Sequence, residues 1–528
     1  MLGIIKKIKK SLPSRFTHKI FTLKSFFYYI KRAREILISW FLYKKNLYDY
    51  YLDTNKSIFN VRLIFFYFSV KLLKATLLHN DDFMSNKLRE IVKKFAGTNL
   101  NHPGDYYADY PKGQVKKNHD DDLLLEFEVL KKTPKLLLFV LRSLRCPRIL
   151  FCGQSYYHPW YLSRELRKLG LKADVYNWDT NPLAQIYYHG SDFTLGKDVE
   201  NTSDGILDFF LRSIYHYDII HFSNPNGISY GSIFNNDPQN IPDIFLLKKL
   251  GKKIIYYHSG CQDGVSQTSF SKWGPESVCS ICQWQKNKSV CSDKRNLEWG
   301  IFRNKVADYQ CTIGANRVDF NNDQRVHERP QAFCLDKKIW NPNIKIPKAF
   351  KLPSKKDTIR VYHAVGNSKL RTKGDGKNIK STHIYLPLIK KLQHEGYDIE
   401  LLAPENVPNM DVRFIQAQAD IFLEMLTFGW YGANVREAMM LGKPVICFLR
   451  PEWLQTVNEI LPGFANELPI VSATPETVEA ILLDLINNKE KRLEIGRRSR
   501  EFAVKWHSSE AAANVFITIY ENLLKEKN

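Results

Sequence analysis

Short apolar runs alternate with amphipathic segments from about residue 146 onward. The runs are rich in β-branched and aromatic residues, and the first series lies at 148–152, 173–177, 218–222, 253–258 and 307–313. Stretches with helical periodicity, at 158–170 and 241–251, lie between them. This alternation predicts a parallel sheet covered by helices.

A second series follows the Lys- and Pro-rich stretch 341–357, which we interpret as an interdomain linker. Its apolar runs lie at 358–365, 398–404, 419–426 and 444–449. Helical segments are predicted at 383–396, from about Ala433, and throughout 474–527. The pattern predicts an α/β protein with two Rossmann-like, doubly wound domains that face a cleft, and ligands at the carboxyl ends of the strands.

Positive charge is concentrated ahead of these domains. The chain of 528 residues has a formal net charge of +22, and residues 1–78 hold 16 Lys and Arg against three acidic residues, a net +13. No window of about 18 residues there is free of charge, and no secretory signal is recognisable. We expect a basic amphipathic helical arm on an anionic membrane surface. A nucleic-acid-binding arm and the solvated face of packed helices are the alternatives. Residues 79–145 are expected to form a helical connector.

The segment 419–453 contains the most informative pattern. An apolar run ends near Leu426, a Gly-containing loop follows, and a helix is predicted to begin near Ala433. Free backbone N–H groups at a helix start bind phosphate. Glu437, one turn later, is placed to accept hydrogen bonds from ribose hydroxyls. A generic βαβ unit is the alternative reading of the same spacing.

The run GWYGANVREAMMLGKPVICFLRPEW resembles the donor site of GT-B glycosyltransferases of the GT4-type group. YHAVGNSKLRTKGDGKNIKSTHIYLPLIKKL, at 362–392, resembles the first loop and helix of that group's C-terminal domain, and RPQAFCLDKKIWNP, at 329–342, its domain-crossing segment. The resemblance covers roughly residues 146–528. It implies an N-terminal acceptor domain at 146–340, a nucleotide-sugar domain at 358–500, and a helix at 501–528 that crosses back.

The resemblance also implies roles for single residues. Arg371 and Lys380 resemble the basic pair that neutralises the donor diphosphate, with Lys373 and Lys377 as competitors for either role. No catalytic cofactor is implied.

The loop before the helix carries the other implied donor contacts. Three residues match the loop that meets the phosphate or sugar: Gly432, Ala433 and Asn434. Glu437 matches the second Glu of the group's E-x7-E motif, which contacts the ribose. The first Glu of that motif falls on Gly429, so we offer Glu424, at the strand end, as a substitute that holds the donor sugar.

Two positions of the first domain are candidates as well. Gly153 follows the first strand, where a GT-B fold places a glycine loop beside the donor phosphates. His258 ends the run KIIYYH and resembles the active-site histidine that hydrogen-bonds the donor sugar, although a strand-end histidine is also compatible with a structural role. Asp263 is close enough in sequence to orient it or to bind acceptor.

Four of the nine cysteines cluster within an insertion at 261–291. They are Cys261, Cys279, Cys282 and Cys291, with the spacing C-x17-C-x2-C-x8-C. The C-x2-C pair with two further cysteines predicts a structural zinc site. Unligated thiols and redox activity are the alternatives.

These features together favour a hexosyltransferase-like enzyme that moves a sugar from a nucleotide-sugar donor to a glycan hydroxyl. The resemblance implies retention of anomeric configuration and a role in bacterial surface polysaccharide or glycoconjugate synthesis. The basic arm suggests a lipid-linked acceptor and a cytoplasmic, peripheral location on the inner face of the cell membrane, without nucleic acid as a partner. A non-catalytic GT-B scaffold that binds glycan or nucleotide is the alternative.

Overall fold

A computed structural model describes residues 147–525, apart from 154–155, 180, 224–226, 229–240, 259, 262, 273–276, 313–316 and 356. The described residues belong to one compact unit of the chain. The predictions for the basic arm and the helical connector lie outside the described residues.

The first half is built on a seven-stranded parallel sheet, with the strand order β3-β2-β1-β4-β5-β6-β7. Its strands are β1 Arg148–Cys152, β2 Lys172–Asn177, β3 Phe193–Thr194, β4 Ile219–Phe222, β5 Lys253–His258, β6 Tyr309–Thr312 and β7 Val326–Glu328. Every residue of β1 and β4 is buried, as expected for central strands covered by helices on both faces.

Six helices connect these strands, and two of them span a single turn each. They are α1 His158–Lys168, α2 Pro182–Gln185, α3 Ser203–His216, α4 Pro242–Lys249, α5 Gln267–Phe270 and α6 Asp293–Val306. The helices α1 and α4 each have a proline in the first turn, where its missing N–H costs no hydrogen bond.

The second half has a four-stranded parallel sheet, with the order β11-β10-β8-β9. Its strands are β8 Ile359–Tyr362, β9 Ile399–Leu402, β10 Ile421–Leu423 and β11 Val445–Ile446. Its helices are α7 Ser368–Arg371, α8 Thr382–His394, α9 Asn409–Gln416, α10 Ala433–Met440, α11 Pro451–Ile460, α12 Phe464–Glu467 and α13 Val478–Asn487. Two long helices, α14 Lys489–His507 and α15 Ser509–Lys525, end the described chain.

The helix α15 returns to the first half. It packs against α1, and the Tyr520 hydroxyl lies 2.9 Å from Nε2 of His221 on β4. A backbone bridge between Leu335 and Ser508 ties the segment that leaves the first sheet to the junction of α14 and α15. The first half is therefore completed by residues from the far end of the described chain.

Three features differ from the sequence-based expectation. The segment 474–527 is not one continuous helix, because the helix is interrupted at Asn488 and at Ser508. The Asn488 side chain accepts a hydrogen bond from the Lys491 N–H and so begins a new helix. The Ser508 backbone is extended because it pairs with Leu335. The edge strands β3 and β7, of two and three residues, were not predicted from the sequence.

Candidate active site

The carboxyl edge of the second sheet gathers the predicted donor-site residues. The strands β8 and β10 end there, and α10 begins there at Ala433, after Gly432 in extended conformation. None of the described side chains caps the first turn of α10. Its first backbone N–H groups are therefore available to an anion, as the sequence predicts.

Lys380 and Glu424 form an ion pair beside this helix start. The Lys380 ammonium contacts Oε1 of Glu424, and the side chains are 13% and 3% exposed. A Cβ placed on Gly432 would lie 3.6 Å from the Lys380 nitrogen and 3.9 Å from Oε2 of Glu424. Oε2 has no hydrogen-bond partner among the described residues. The pair thus presents a cation and an open carboxylate oxygen to the start of α10.

Glu437 lies deeper, in the second turn of α10, and is fully buried. Its Oε1 accepts hydrogen bonds from the Tyr157 hydroxyl at 2.7 Å and the Asn409 amide at 2.9 Å, and its Oε2 accepts one from the Gln416 amide at 2.7 Å. Burial raises the pKa of Glu437, while these hydrogen bonds and the nearby Lys380 oppose the rise. A ribose hydroxyl that binds Glu437 would have to displace one of these donors.

Tyr157 comes from the first half, so its bond to Glu437 joins the two halves. Asn409 makes a second junction, because its side-chain oxygen lies 2.8 Å from Nε2 of His189 and its backbone N–H donates to the Ile186 carbonyl. The His189 ring stacks on Tyr157, with ring centroids 4.6 Å apart. The sheets therefore meet through a continuous polar and aromatic contact at the base of the site.

Arg371 lies against two tyrosines of the first half. Tyr156 and Tyr187 stack edge to face, 5.2 Å apart, and their proximity raises the pKa of Arg371. The Tyr187 hydroxyl sits so close to Gly366 that a Cβ there would lie 2.0 Å from it. Arg371 thus lies beside side chains of the first half, and its role on the diphosphate stays a prediction.

The competing cations have different surroundings. The Lys373 ammonium donates to the Ser280 carbonyl at 2.7 Å, in the cysteine-containing insertion. The backbone of Lys377 closes the same loop, since its carbonyl accepts from the Lys373 N–H at 2.8 Å. Asn434, at the helix start, donates at 3.5 Å to the Ala364 carbonyl, just after β8.

His258 ends β5 and is 3% exposed. Burial lowers its pKa well below the usual range, and the Arg303 guanidinium adds to this effect. Neither ring nitrogen meets the geometry of a hydrogen bond to a described residue. Arg303 itself donates to the Asp263 carbonyl and to Asn321, and Asp263 accepts from the Tyr256 hydroxyl at 2.6 Å. None of the described hydrogen bonds or ring contacts joins His258 to Lys380.

Gly153 follows β1 with φ +76°, a left-handed conformation that favours glycine. Its N–H donates to the Tyr176 carbonyl at 3.2 Å, and its own carbonyl accepts from the Ser223 hydroxyl. These contacts turn the chain at the carboxyl edge of the first sheet, a few residues ahead of Tyr156 in the sequence.

The four clustered cysteines line one cavity of about 50 Å³. They are Cys261, Cys279, Cys282 and Cys291. Burial and the three neighbouring thiols raise the pKa of Cys261, and similar causes raise that of Cys279 to about 12. Among the described residues as they stand, no group of three or more Cys, His, Asp or Glu side chains could hold a metal ion.

Several residues at the base of the site are missing from the sequence-based prediction. Tyr157, Asn409 and Gln416 hold Glu437, and Tyr156 and Tyr187 surround Arg371. The only local signal was the aromatic run before α1, QSYYHPW, which carries the two consecutive tyrosines. Contacts between the halves join residues that are far apart in the chain, so no regular spacing in the sequence indicates them.

Comparison with known proteins finds similarity at the level of structure. No protein-family profile matches the sequence, and no curated protein matches it. Anabaena Alr3699/HepE in complex with UDP is 12% identical, with 71% of this chain and 100% of that chain covered and a TM-score of 0.43. Sucrose-phosphate synthase (tll1590) from Thermosynechococcus elongatus is 13% identical, with 72% and 100% covered and a TM-score of 0.43. WaaG, a glycosyltransferase involved in lipopolysaccharide biosynthesis, is 12% identical, with 70% and 99% covered and a TM-score of 0.40.

The fold of the described residues is the one that the GT-B resemblance predicts. Two doubly wound parallel sheets carry the site residues on their carboxyl edges, and the last helix returns to the first sheet. The predicted fold class is therefore confirmed. Within residues 147–525, none of the described helices has both the length and the apolar character needed to span a bilayer.

Proposed function

We propose that this protein is a glycosyltransferase that moves a sugar from a nucleotide-sugar donor to a hydroxyl of a glycan acceptor. The observation that carries the proposal is the largely buried Lys380–Glu424 pair at the uncapped start of α10. A largely buried lysine and free helix N–H groups suit a diphosphate, and an open carboxylate oxygen beside them suits a sugar hydroxyl.

In this mechanism the bond between the sugar and the diphosphate breaks as the acceptor hydroxyl attacks the anomeric carbon. Negative charge develops on the nucleoside diphosphate, where Lys380, Arg371 and the first N–H groups of α10 stabilise it. Glu424 accepts a hydrogen bond from the donor sugar, in place of the motif carboxylate that Gly429 lacks. Glu437 holds the ribose after a hydroxyl displaces Tyr157, and His258 remains the candidate contact to the sugar from the first half.

Finer parts of the proposal rest on the sequence. Membership of the GT4-type group, hexosyl transfer and retention of configuration follow from the resemblance. The basic arm, with its net charge of +13, supports a lipid-linked acceptor and attachment to an anionic cytoplasmic membrane face.

The test of catalysis is release of nucleoside diphosphate from a panel of nucleotide sugars with glycan acceptors. We expect release with at least one donor, and a fall of about 100-fold in kcat for Lys380→Met and for Glu424→Gln, the scale for losing one charge-stabilising group. Lys391→Met is the matched control, because Lys391 lies on the surface of α8 and pairs with Glu479. An enzyme that is equally active in all variants contradicts the assigned roles.

The replacement of the first motif Glu by Gly429 favours a second candidate, a non-catalytic scaffold that binds nucleotide or glycan. A scaffold binds donor in calorimetry but releases no nucleoside diphosphate with any acceptor. The same assay therefore separates the two functions.

The membrane part of the proposal has its own test. Rates on lipid-linked and on water-soluble acceptors are compared for the full chain and for a chain without residues 1–78. We expect the truncation to lower the rate on the lipid-linked acceptor alone. Equal rates on both acceptors after truncation contradict the membrane role.

A further inference from the structure

We propose that Cys261, Cys279, Cys282 and Cys291 bind one structural zinc ion, which fixes the cysteine-containing insertion against the donor-site loops. The first observation is convergence. The outer two cysteines are 30 positions apart, yet all four side chains line a single cavity of about 50 Å³. Four thiolates in tetrahedral arrangement are a characteristic structural site for zinc.

The second observation is that the insertion has little else to hold it in place. Residues 277–291 form consecutive turns without helix or strand. The buried positions there are few: Val278, Cys279 and Ile281. A segment that buries so little apolar surface needs another source of ordering free energy, and metal binding supplies it because binding free energy becomes folding free energy.

The third observation is a pair of side-chain amides that already point at the Cys291 sulfur. The side-chain amide of Asn296 donates to Sγ of Cys291 at 3.9 Å. The side-chain amide of Gln267 donates to Sγ of Cys291 at 3.2 Å. Such donors stabilise thiolates and orient metal ligands, whereas a neutral thiol gains little from them.

Positive charge accompanies these donors. A zinc ion with four thiolates has a net charge of −2, and Lys373 supplies a positive charge beside the cysteine cluster. Its ammonium group is held there by the Ser280 carbonyl, inside the C-x2-C turn. The cation belongs to the second half, so it links the cysteine cluster to the loop of Arg371 and Lys380.

Zinc binding requires the thiol side chains to turn into the cavity. In their present orientation the four cysteine side chains do not form a group that could hold a metal ion. Zn–S bonds of about 2.3 Å would require the four sulfurs to converge on one point of the cavity. Each thiol loses its proton to solvent when its sulfur binds, so four protons leave as one divalent ion enters, without oxidation or reduction.

The cavity also touches the candidate active site. Ile379 and Phe428 line it together with the cysteines, and they are the sequence neighbours of Lys380 and Gly429. The Phe428 ring packs against Phe270 at the end of α5, within the insertion, with centroids 5.3 Å apart. The metal would therefore hold the first-half insertion against both loops that carry the donor-site residues.

The direct test is metal analysis of the full chain, purified without chelator from zinc-supplemented cells. We expect about one zinc per chain by elemental mass spectrometry. The double variant C279S/C282S should lose nearly all of it. The control is Cys311→Ser, which removes a buried thiol of β6 outside the cluster and should retain the zinc.

A second measurement does not depend on folding of the variants. Cobalt(II) exchanged into the wild-type chain should give the intense sulfur-to-cobalt charge-transfer and visible bands of a tetrahedral thiolate site. Zinc removal by a chelator should also increase hydrogen exchange at 277–291 and at 366–381, with no change in β1. Substoichiometric zinc, bound iron, a disulfide among the four cysteines, or equal zinc in C279S/C282S and wild type would each overturn the proposal. The outcome is independent of whether the chain transfers sugar.

Discussion

Glu437 shows how one buried carboxylate can serve both the fold and the site. Three neutral donors surround it, and one of them, Tyr157, comes from the other half of the molecule. A buried carboxylate that loses a donor keeps its desolvation cost, so each donor is worth more than an exposed hydrogen bond. The stability of the contact between the halves should therefore respond to this single residue.

A double-mutant cycle on Tyr157 and Glu437 measures that response. Tyr157→Phe removes only the hydroxyl, and Glu437→Gln removes the charge. We expect an interaction free energy of about 1.5–3 kcal/mol in urea denaturation, the range for hydrogen bonds to charged groups. Additive effects of the two changes would show that the hydroxyl and the carboxylate do not interact in solution.

Only some of the residues around Glu437 could be predicted from the sequence. Glu437 and Lys380 are recognisable because they lie in local runs with a Gly-containing loop and a helix start. Glu424 is offered from its place at the strand end, but its contact with Lys380 is not predicted. The roles of Tyr157 and Asn409 depend on how two distant segments pack, and local periodicity contains no information about that.

At the scale of elements, α14 is joined to two other segments through Arg500. Its guanidinium donates to the Trp340 carbonyl at 2.7 Å and to the Lys337 carbonyl at 2.9 Å, in the segment that connects the halves. It also donates to the Met440 carbonyl at the end of α10. One side chain therefore donates hydrogen bonds to carbonyl groups of two other segments. None of these carbonyl groups lies in a β-strand.

Replacement of Arg500 should destabilise the protein more than replacement of its neighbour Arg497. Arg500→Met leaves three carbonyls without their donor, and we expect a loss of about 2 kcal/mol or more in the free energy of unfolding. Arg497→Met removes exposed pairs with Glu494 and Glu501 on the same helix and should have little effect. Equal losses in the two variants, measured by chemical denaturation, would contradict this assignment.

The elements that the sequence predicts well are those with enough residues to show a period. Arg148–Cys152 and Lys253–His258 are predicted at both ends because they are continuous apolar runs. The strands β3 and β7 have two and three residues, too few for alternation, and they exist because a neighbouring strand offers hydrogen bonds. The break at Ser508 likewise depends on Leu335, a partner far away in sequence.

At the scale of the whole molecule, several buried histidines couple stability to pH. Burial lowers the pKa of His158 to about 3 and that of His363 to about 4. It also lowers the pKa of His221, His258 and His507 well below the usual range. The ordinary pKa of histidine is about 6.5, so below this pH these side chains take up protons in the unfolded chain. In the folded chain they stay neutral until the pH approaches their lowered pKa values. Stability is therefore lost as the pH falls from about 6.5 toward the folded values.

His158 allows the effect of one group to be measured. In wild type its proton uptake in the unfolded state should cost about 2 kcal/mol of stability between about pH 7 and about pH 5. His158→Leu keeps an apolar contact with Phe333 and should reduce the difference between the two pH values by that amount. Comparison of the variant with wild type cancels the opposite contribution of buried carboxyls such as Glu437, whose raised pKa favours folding at lower pH. An unchanged difference, measured in urea at both pH values, would contradict a neutral buried His158.

The return of α15 to the first sheet has a consequence for biosynthesis. His221 and Tyr520 are 299 positions apart, so the ribosome has completed all of the second half before the first half receives its last helix. During translation the surface of α1 that α15 later covers remains exposed to water and to other chains. The two halves therefore cannot mature one after the other, and the nascent first half depends on protection from association until translation is nearly finished.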